Sequence, residues 1–145
     1  MKGGYDVLTD QQMIVAVKGI IYHKGKVLLL KRSLEEQSGA GEWEIPGGKI
    51  EFDEKLEEAL QRESKEEIGL DTKVEELLYA TTFKTDLHRQ IILLVYLCVT
   101  KGEEVTLSDE HSEYIWADEE ELRLRLPQRI IEEWEENNVF KRMKG

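Results

Sequence analysis

Hydrophobic residues fall into short runs of strand length, which are separated by polar turns. The runs at 13–22 and 26–31 are rich in Val, Ile and Leu, and the segment 23–25 between them predicts a hairpin turn. Residues 74–83 and 89–99 predict two further strands that are joined by a polar link. The run at 89–99 is apolar at both alternating sets of positions, so we expect a central strand that is covered on both faces.

Two segments carry the period of about 3.6 residues that is typical of amphipathic helices. Asp53 suits the N-cap of the first helix, and Gly69 suits its C′ position. The second helix is predicted over 127–143, because Pro127 favours the first helical position and one face is apolar. That face consists of Ile130, Ile131 and Trp134. The other predicted elements are a lead-in at 1–12, loops at 33–42 and 101–110, and short strands at 43–45 and 113–117.

This order of helices and strands predicts the α/β class. We expect an α/β/α sandwich, in which a mixed β-sheet lies between helices, and a single domain that comprises residues 1–145. No internal repeat, linker or low-complexity segment interrupts the sequence. A chain of this length is sufficient for a substantial hydrophobic core.

Composition and charge exclude several classes of protein. Hydrophobic residues make up 40% of the chain, which separates it from disordered proteins, and a net charge of −11 argues against general nucleic-acid binding. The longest apolar run, at 91–99, is too short to span a membrane, so no membrane association is expected. The single cysteine, Cys98, lies in that run and indicates a buried thiol in a reducing cytoplasm.

The first predicted helix carries acidic residues where its buried face continues. The apolar residues within 56–60 define that face, and Glu63 and Glu67 lie on the same stripe, with Glu66 beside them. An unpaired buried carboxylate costs several kcal/mol. A divalent cation is the simplest agent that offsets this cost, and oxygen ligands suit Mg²⁺ or Mn²⁺. An acidic, solvated helix face is the alternative interpretation.

The stretch from residue 48 to residue 70 resembles the Nudix box, Gly-x5-Glu-x7-Arg-Glu-U-x-Glu-Glu-x-Gly-U, where U is a bulky apolar residue. One position departs from this pattern, because the first U is Ser64, which is small and polar. Ser64 is expected at the edge of the buried stripe, so we interpret it as a local change in packing. All other specified positions are filled, by Gly48, Glu54, Arg62, Glu63, Glu66, Glu67, Gly69 and Leu70.

The resemblance implies both a fold and an activity. Nudix proteins are α/β/α sandwiches that hydrolyse a nucleoside diphosphate linked to another group X, and divalent metal ions assist the reaction. By this resemblance Glu63, Glu66 and Glu67 would be catalytic residues that bind Mg²⁺ or Mn²⁺. Glu63 is the favoured general base, although in other branches of the family the base comes from a loop.

The resemblance also assigns supporting residues. The backbone carbonyl of Gly48 would be a further metal ligand, and Arg62 and Glu54 would form an ion pair that holds the acidic helix against the glycine turn. Arg32 resembles a substrate-binding arginine that contacts phosphate, with an ordinary surface charge as the alternative. Glu110 resembles an additional metal ligand, with a solvated acid as the alternative.

Trp43 and the three histidines complete the residues that were considered for a role at the site. Trp43 is interpreted as a core residue, and contact with a nucleobase is the alternative. His23, His88 and His111 lack the spacing of metal ligands, so they are assigned no role.

The box identifies the bond that is broken but leaves the group X open. The segment 43–51, WEIPGGKIE, resembles MutT-type enzymes, which act on oxidised purine triphosphates. The proline and the tyrosine that mark ADP-ribose and diadenosine polyphosphate branches beyond the box are absent. We therefore expect an ordinary or oxidised nucleoside triphosphate, cleaved to monophosphate and pyrophosphate. The alternative is an ADP-ribose or nucleotide-sugar pyrophosphatase.

Two further classes of function are compatible with a Nudix fold. A non-catalytic module that senses nucleotides would be expected to lose box glutamates, and none is lost here. An enzyme that processes RNA 5′ ends would need a basic track beside the site, and the local sequence is acidic. A small-molecule nucleotide is therefore the expected partner, and a homodimer remains open.

Overall fold

The computed structural model describes residues 10–144. Residues 1–9, and with them most of the predicted lead-in, lie outside the described residues, as does Gly145. Within 10–144, seven strands form one mixed sheet and four helices accompany it. The strands are β1 (Gln12–His23), β2 (Lys26–Arg32), β3 (Trp43–Glu44), β4 (Gly47–Lys49), β5 (Thr72–Asp86), β6 (Arg89–Thr100) and β7 (His111–Ala117). The helices are α1 (Leu56–Ile68), α2 (Glu119–Arg125), α3 (Gln128–Glu136) and α4 (Val139–Lys144).

Strand β1 is the middle strand in the order β3-β2-β1-β6-β5. One edge runs parallel to β6, which pairs on its own far edge with antiparallel β5. The other edge pairs with β4 and, across a tight turn, with β2. Lys24 and Gly25 form that turn with φ angles of 51° and 82°, as the predicted hairpin requires. The prediction that 89–99 forms a central strand is confirmed, since β6 lies between β1 and β5.

The sheet has a separate hydrophobic core on each face. Neighbouring residues of β1 alternate between them, so that Ile21 packs with Leu60 of α1 on one face, while Ile20 packs with Trp134 of α3 on the other. All four side chains are fully buried. Each such aliphatic side chain contributes about 2 kcal/mol of transfer free energy. The predicted α/β/α sandwich with a mixed sheet is therefore confirmed.

Helix α1 begins later than the sequence predicts. The prediction of Asp53 as N-cap is wrong, because Asp53 has a φ of 69° and belongs to a turn that the Glu54 N–H closes by donating to the Glu51 carbonyl. The N-cap is Lys55, and the Glu58 carboxylate accepts from the Lys55 N–H. The predicted C-terminus is correct, since Gly69 has a φ of 70°.

The C-terminal helical region also differs from the prediction. It is broken at Asn138, whose φ is 56°, so that α3 and α4 replace one long helix, and Pro127 is the N-cap of α3. Helix α2 was not predicted, although Asp118 and Glu121 form a capping box at its start. No helix within residues 10–144 is long and apolar enough to cross a membrane.

Candidate active site

The short strand β4, here called the glycine strand, lies against the acidic residues of α1. Gly47 and Gly48, predicted as a turn, form β4, which pairs antiparallel with Lys18 and Val17 of β1. A Cβ on Gly47 would overlap the Val17 carbonyl, and its φ of 153° also favours glycine. A Cβ on Gly48 would overlap the Glu63 carboxylate. Both positions therefore need glycine, the second because an acidic side chain of α1 occupies the space beside it.

Glu67 is buried beneath this strand. Glu67 is only 6% exposed, and the Gly47 N–H donates a hydrogen bond to its Oε1 at 2.9 Å. Burial raises the pKa of Glu67 to about 7, and repulsion from Glu63 adds to this. The Gly47 N–H, His111 and Lys18 act in the opposite direction on that pKa. Glu67 therefore changes its charge near neutral pH.

Glu63 lies one helical turn before Glu67 and is partly exposed. Burial raises the pKa of Glu63, and Arg62 opposes this, while repulsion from Glu66 and Glu110 raises the pKa further. Glu110 therefore lies within electrostatic range of Glu63, although it belongs to the exposed loop before β7. The pKa of Glu63 therefore depends on the charges of both Glu66 and Glu110.

Arg62 connects α1 to the loop that precedes it. Its guanidinium binds the Glu54 carboxylate at 2.6 and 3.0 Å and donates to the Lys49 carbonyl at 3.1 Å. It also lies 3.3 Å from Glu66, whose side chain is 59% exposed. The Arg62 hydrogen bond lowers the pKa of Glu54. The predicted contact between Arg62 and Glu54 is present in the structure, and it holds the loop against the helix.

The chemistry of these donors fits a hard divalent cation. Glu63 and Glu67 approach each other at the glycine strand, and carboxylate oxygens are the ligands that Mg²⁺ and Mn²⁺ prefer. Glu66 is turned towards Arg62. Across residues 10–144, no three acidic, histidine or cysteine side chains already stand in a ligand cluster. The roles of Glu66, Glu110 and the Gly48 carbonyl as ligands stay predictions.

A second charged cluster lies beside the glycine strand, around Glu44. His111 contacts Glu44 Oε2 at 2.7 Å, and Lys18 and Arg32 contact the same carboxylate at 3.2 Å each. Burial would raise the pKa of Glu44, but the hydrogen bond with His111 and the charges of Lys18 and Arg32 hold it at about 2. Glu44 is therefore ionised, and His111 Nε2 donates the hydrogen bond.

Arg32 is more constrained than the sequence indicates. Besides Glu44, its guanidinium binds the Glu36 carboxylate at 2.9 Å and the Ser38 carbonyl at 2.8 Å. Arg32 is therefore not an unpaired surface charge in this structure. Its role in substrate binding stays a prediction.

A cleft of about 480 Å³ opens next to the Glu44 cluster, on the face of the sheet that α3 covers. Lys18 and Glu44 line one part of it, and Tyr79 of β5 and Glu133 of α3 line another. Trp43 lines the cleft and also packs against the hydrophobic core, as its interpretation as a core residue requires, and its contact with a nucleobase stays a prediction. Lys18 lines the cleft and pairs in the sheet with Gly47, whose N–H binds Glu67. The cleft therefore lies next to the glutamates of α1, and Lys18 and Gly47 form their common boundary.

A model of the NUDIX domain family matches residues 12–136. This chain belongs to the Nudix family. The matched range includes the box, all seven strands and helices α1 to α3, and the chain is a MutT-like Nudix hydrolase, an enzyme of the pyrophosphohydrolase class.

Individual relatives agree with this assignment. The nucleoside triphosphatase NudI of Klebsiella pneumoniae is 34% identical over 114 residues, which cover 72% of this chain and 81% of that protein. The crystal structure of a MutT protein from Methanosarcina mazei has a TM-score of 0.76 and 31% identity, covering 92% of this chain and 94% of that one. The solution structure of the Escherichia coli ORF135 protein has a TM-score of 0.66 and 31% identity, with coverages of 79% and 80%.

Three residues of this Nudix hydrolase were missed or left without a role by sequence reasoning. Lys18, Glu44 and His111 form the cluster beside the cleft, and the Nδ1 atom of buried His111 has no hydrogen-bond partner among the described residues. A signal for Lys18 was available, because a lysine inside an otherwise apolar strand needs a buried partner. No spacing in the sequence links Glu44 with His111.

We predict that Gly48→Ala lowers the activity of this Nudix hydrolase by about 10- to 100-fold, because the new methyl group displaces the Glu63 carboxylate. The fold should tolerate the change, since the displaced atoms are the end of a flexible side chain. The measurement is kcat/KM together with the melting temperature. Gly102→Ala is the matched control, because a Cβ at Gly102 meets nothing within 4 Å. An unchanged kcat/KM for Gly48→Ala would show that the position of Glu63 is unimportant.

Proposed function

We propose that this Nudix hydrolase cleaves an ordinary or oxidised purine nucleoside triphosphate to the monophosphate and pyrophosphate, with Mg²⁺ or Mn²⁺ as cofactor. The observation that carries the proposal is the common boundary between the cleft and the acidic face of α1 at Lys18 and Gly47. A nucleoside in the cleft would direct its phosphates towards Glu63 and Glu67. The relative NudI supports the choice of a triphosphate, because it is named a nucleoside triphosphatase.

The residues of the chain perform separate tasks in this proposal. Glu63 and Glu67 hold the cation, with Glu66 and Glu110 as further oxygen donors beside them. The cation, when bound, neutralises charge on the transferring phosphate oxygens. Arg62, fixed by Glu54, maintains the position of α1 under the glycine strand.

A proton must also leave the attacking water. Glu63 is the residue that we assign to accept it, because Glu63 is partly exposed, whereas Glu67 is buried and already accepts from the Gly47 N–H. Arg32 does not line the cleft itself but fixes Glu44, which does, through a contact of 3.2 Å between their side chains. In this arrangement Arg32 orients substrate phosphates indirectly, by fixing the Glu44 cluster.

The remaining properties concern the whole chain. We propose that it acts as a single domain in the cytoplasm and binds neither nucleic acid in general nor a membrane. The thiol of Cys98 agrees with a reducing compartment, because burial, and then Glu57 and Glu75, raise its pKa to about 12 and make it unreactive. Association into a homodimer remains compatible with this proposal.

A substrate screen tests the proposed function. GTP, ATP, 8-oxo-dGTP, ADP-ribose and a nucleotide-sugar are each incubated with Mg²⁺, and both products are identified by chromatography. We expect kcat/KM for the best triphosphate to exceed that for ADP-ribose by about tenfold or more, which corresponds to about 1.4 kcal/mol of transition-state free energy. If ADP-ribose or the nucleotide-sugar is preferred by that factor, the triphosphate proposal is wrong, although membership of the Nudix family is unaffected.

A further inference from the structure

A carboxylate and a tyrosine hydroxyl form a hydrogen-bonded pair in the wall of the cleft, and neither belongs to the acidic helix α1. Tyr79 Oη donates to Glu133 Oε1 at 2.6 Å, and both residues line the cleft. Tyr79 is 6% exposed, whereas Glu133 is partly exposed. The pair joins β5 to α3 across 54 residues of sequence, so it depends on the complete fold.

Tyr79 fixes the carboxylate of Glu133 in one orientation. Burial, and then the hydrogen bond with Glu133, raise the pKa of Tyr79, so its hydroxyl stays protonated and donates. Glu133 Oε2 has no hydrogen bond or ion pair with any residue between 10 and 144. A carboxylate has about four lone-pair positions on its two oxygens, and Tyr79 uses one of them. Glu133 therefore offers the cleft a fixed group that accepts hydrogen bonds and donates none.

Nucleobases differ in whether they can satisfy such a group. Guanine carries two neighbouring donors on one edge, N1–H and the 2-amino group, and these match the two oxygens of a carboxylate. Adenine places an acceptor, N1, beside its only amino group on that edge, so one carboxylate oxygen would face a lone pair. A site with a buried polar partner rejects a ligand that leaves that partner unpaired.

We propose that Glu133, with Tyr79 as a positioning residue, selects guanine in the cleft by accepting hydrogen bonds from N1–H and the 2-amino group. The inference rests on the proposed function, because it specifies the base of the triphosphate that the cleft receives. Oxidation at C8 leaves the N1–H and the 2-amino group in place, so ordinary and oxidised guanine nucleotides are both accepted at this edge. Trp43 forms a further part of the cleft wall.

The test measures binding and catalysis separately with three related bases. Dissociation constants for GMP, IMP and AMP are determined by calorimetry, and kcat/KM is determined for GTP, ITP and ATP. In the unmodified enzyme we expect GMP to bind more tightly than AMP by about 10- to 100-fold, the range for charge-assisted hydrogen bonds. IMP keeps N1–H but lacks the 2-amino group, so it should bind with intermediate affinity.

Variants of α3 assign the preference to one side chain. Glu133→Gln should remove most of the preference for guanine, because an amide presents a donor beside an acceptor and no longer matches the two neighbouring donors of guanine. Glu133→Asp, which shortens the side chain, should also weaken the preference. Glu132→Gln is the matched control, because Glu132 is exposed on the same helix and does not line the cleft. Tyr79→Phe should raise KM for GTP by a smaller factor and leave kcat unchanged.

The outcomes separate this inference from the proposed function. Hydrolysis of triphosphates without a preference for guanine, or an equal preference in Glu133→Gln, overturns the guanine site and leaves the proposed function intact. Selective GMP binding that is lost in Glu133→Gln, without hydrolysis of any triphosphate, supports the guanine site and overturns the proposed function. Equal binding of GMP and AMP by the unmodified enzyme contradicts the guanine site in either case.

Discussion

Glu67→Gln should reduce kcat by roughly 10²- to 10³-fold, the size of loss that follows removal of one electrostatic group at a transition state. Glu67 is the buried carboxylate of the site and the one that the backbone of Gly47 fixes. A glutamine retains the acceptor for that N–H but removes the negative charge that a cation requires. The measurement is kcat for the substrate that the screen identifies. Glu57→Gln, an exposed change on the same helix, is the control, and a fully active Glu67→Gln would exclude Glu67 from the site.

The same substitution should stabilise the metal-free protein, in a way that depends on pH. The pKa of Glu67 is about 7 in the folded protein against an ordinary value of 4.5, so the folded state binds this proton more tightly. The resulting contribution to the free energy of unfolding is fully present below pH 4.5 and is lost as the pH rises through 7, with a total of roughly 3 kcal/mol. Unfolding in EDTA should show that Glu67→Gln is more stable than the unmodified protein at pH 8, and that the difference disappears near pH 4.5. A difference that is independent of pH would contradict burial as its cause.

Excess EDTA should abolish hydrolysis, and Mg²⁺ or Mn²⁺ should restore it. The reason is that Glu63 and Glu67 present negative oxygens at the place where phosphate oxygens must approach, and only a cation makes that approach favourable. The cation concentration that gives half of the maximal rate should rise as the pH falls below 7, because protons compete for Glu67. Circular dichroism in EDTA serves as the control for an intact fold. Steady turnover in excess EDTA would rule out a metal-dependent reaction.

The local part of the site could be predicted from the sequence, because a helix converts spacing directly into geometry. Glu63 and Glu67 are four residues apart, so any helix that buries one of them brings the other close to it. The glycine strand could be placed beside them only through the resemblance to the Nudix box. The start of α1 was predicted wrongly, since Asp53 adopts a left-handed conformation that a pattern of apolar positions does not reveal.

The long-range part of the site could not be predicted, because it depends on the order of strands in the sheet. Glu44 and His111 are separated by 67 residues, and they meet because β2 lies between β3 and β7. Tyr79 and Glu133 likewise meet only when α3 packs against the sheet. Contacts between residues so far apart in the sequence leave no periodic pattern. His111 was therefore assigned no role from the sequence, and Glu44 and Glu133 were not predicted as site residues.

The parallel pairing of β1 with β6 determines when during synthesis the centre of the sheet can form. The partners from Gln12↔Arg89 to Tyr22↔Val99 are separated by more than half of the chain, and contacts of such high contact order form slowly. A nascent chain that ends before β6 contains every glutamate of α1 but lacks Tyr96 and Cys98, on which α1 packs. Until β6 has left the ribosome, β1 therefore exposes an unpaired apolar edge, and this period is when the chain is most exposed to aggregation and most dependent on chaperones.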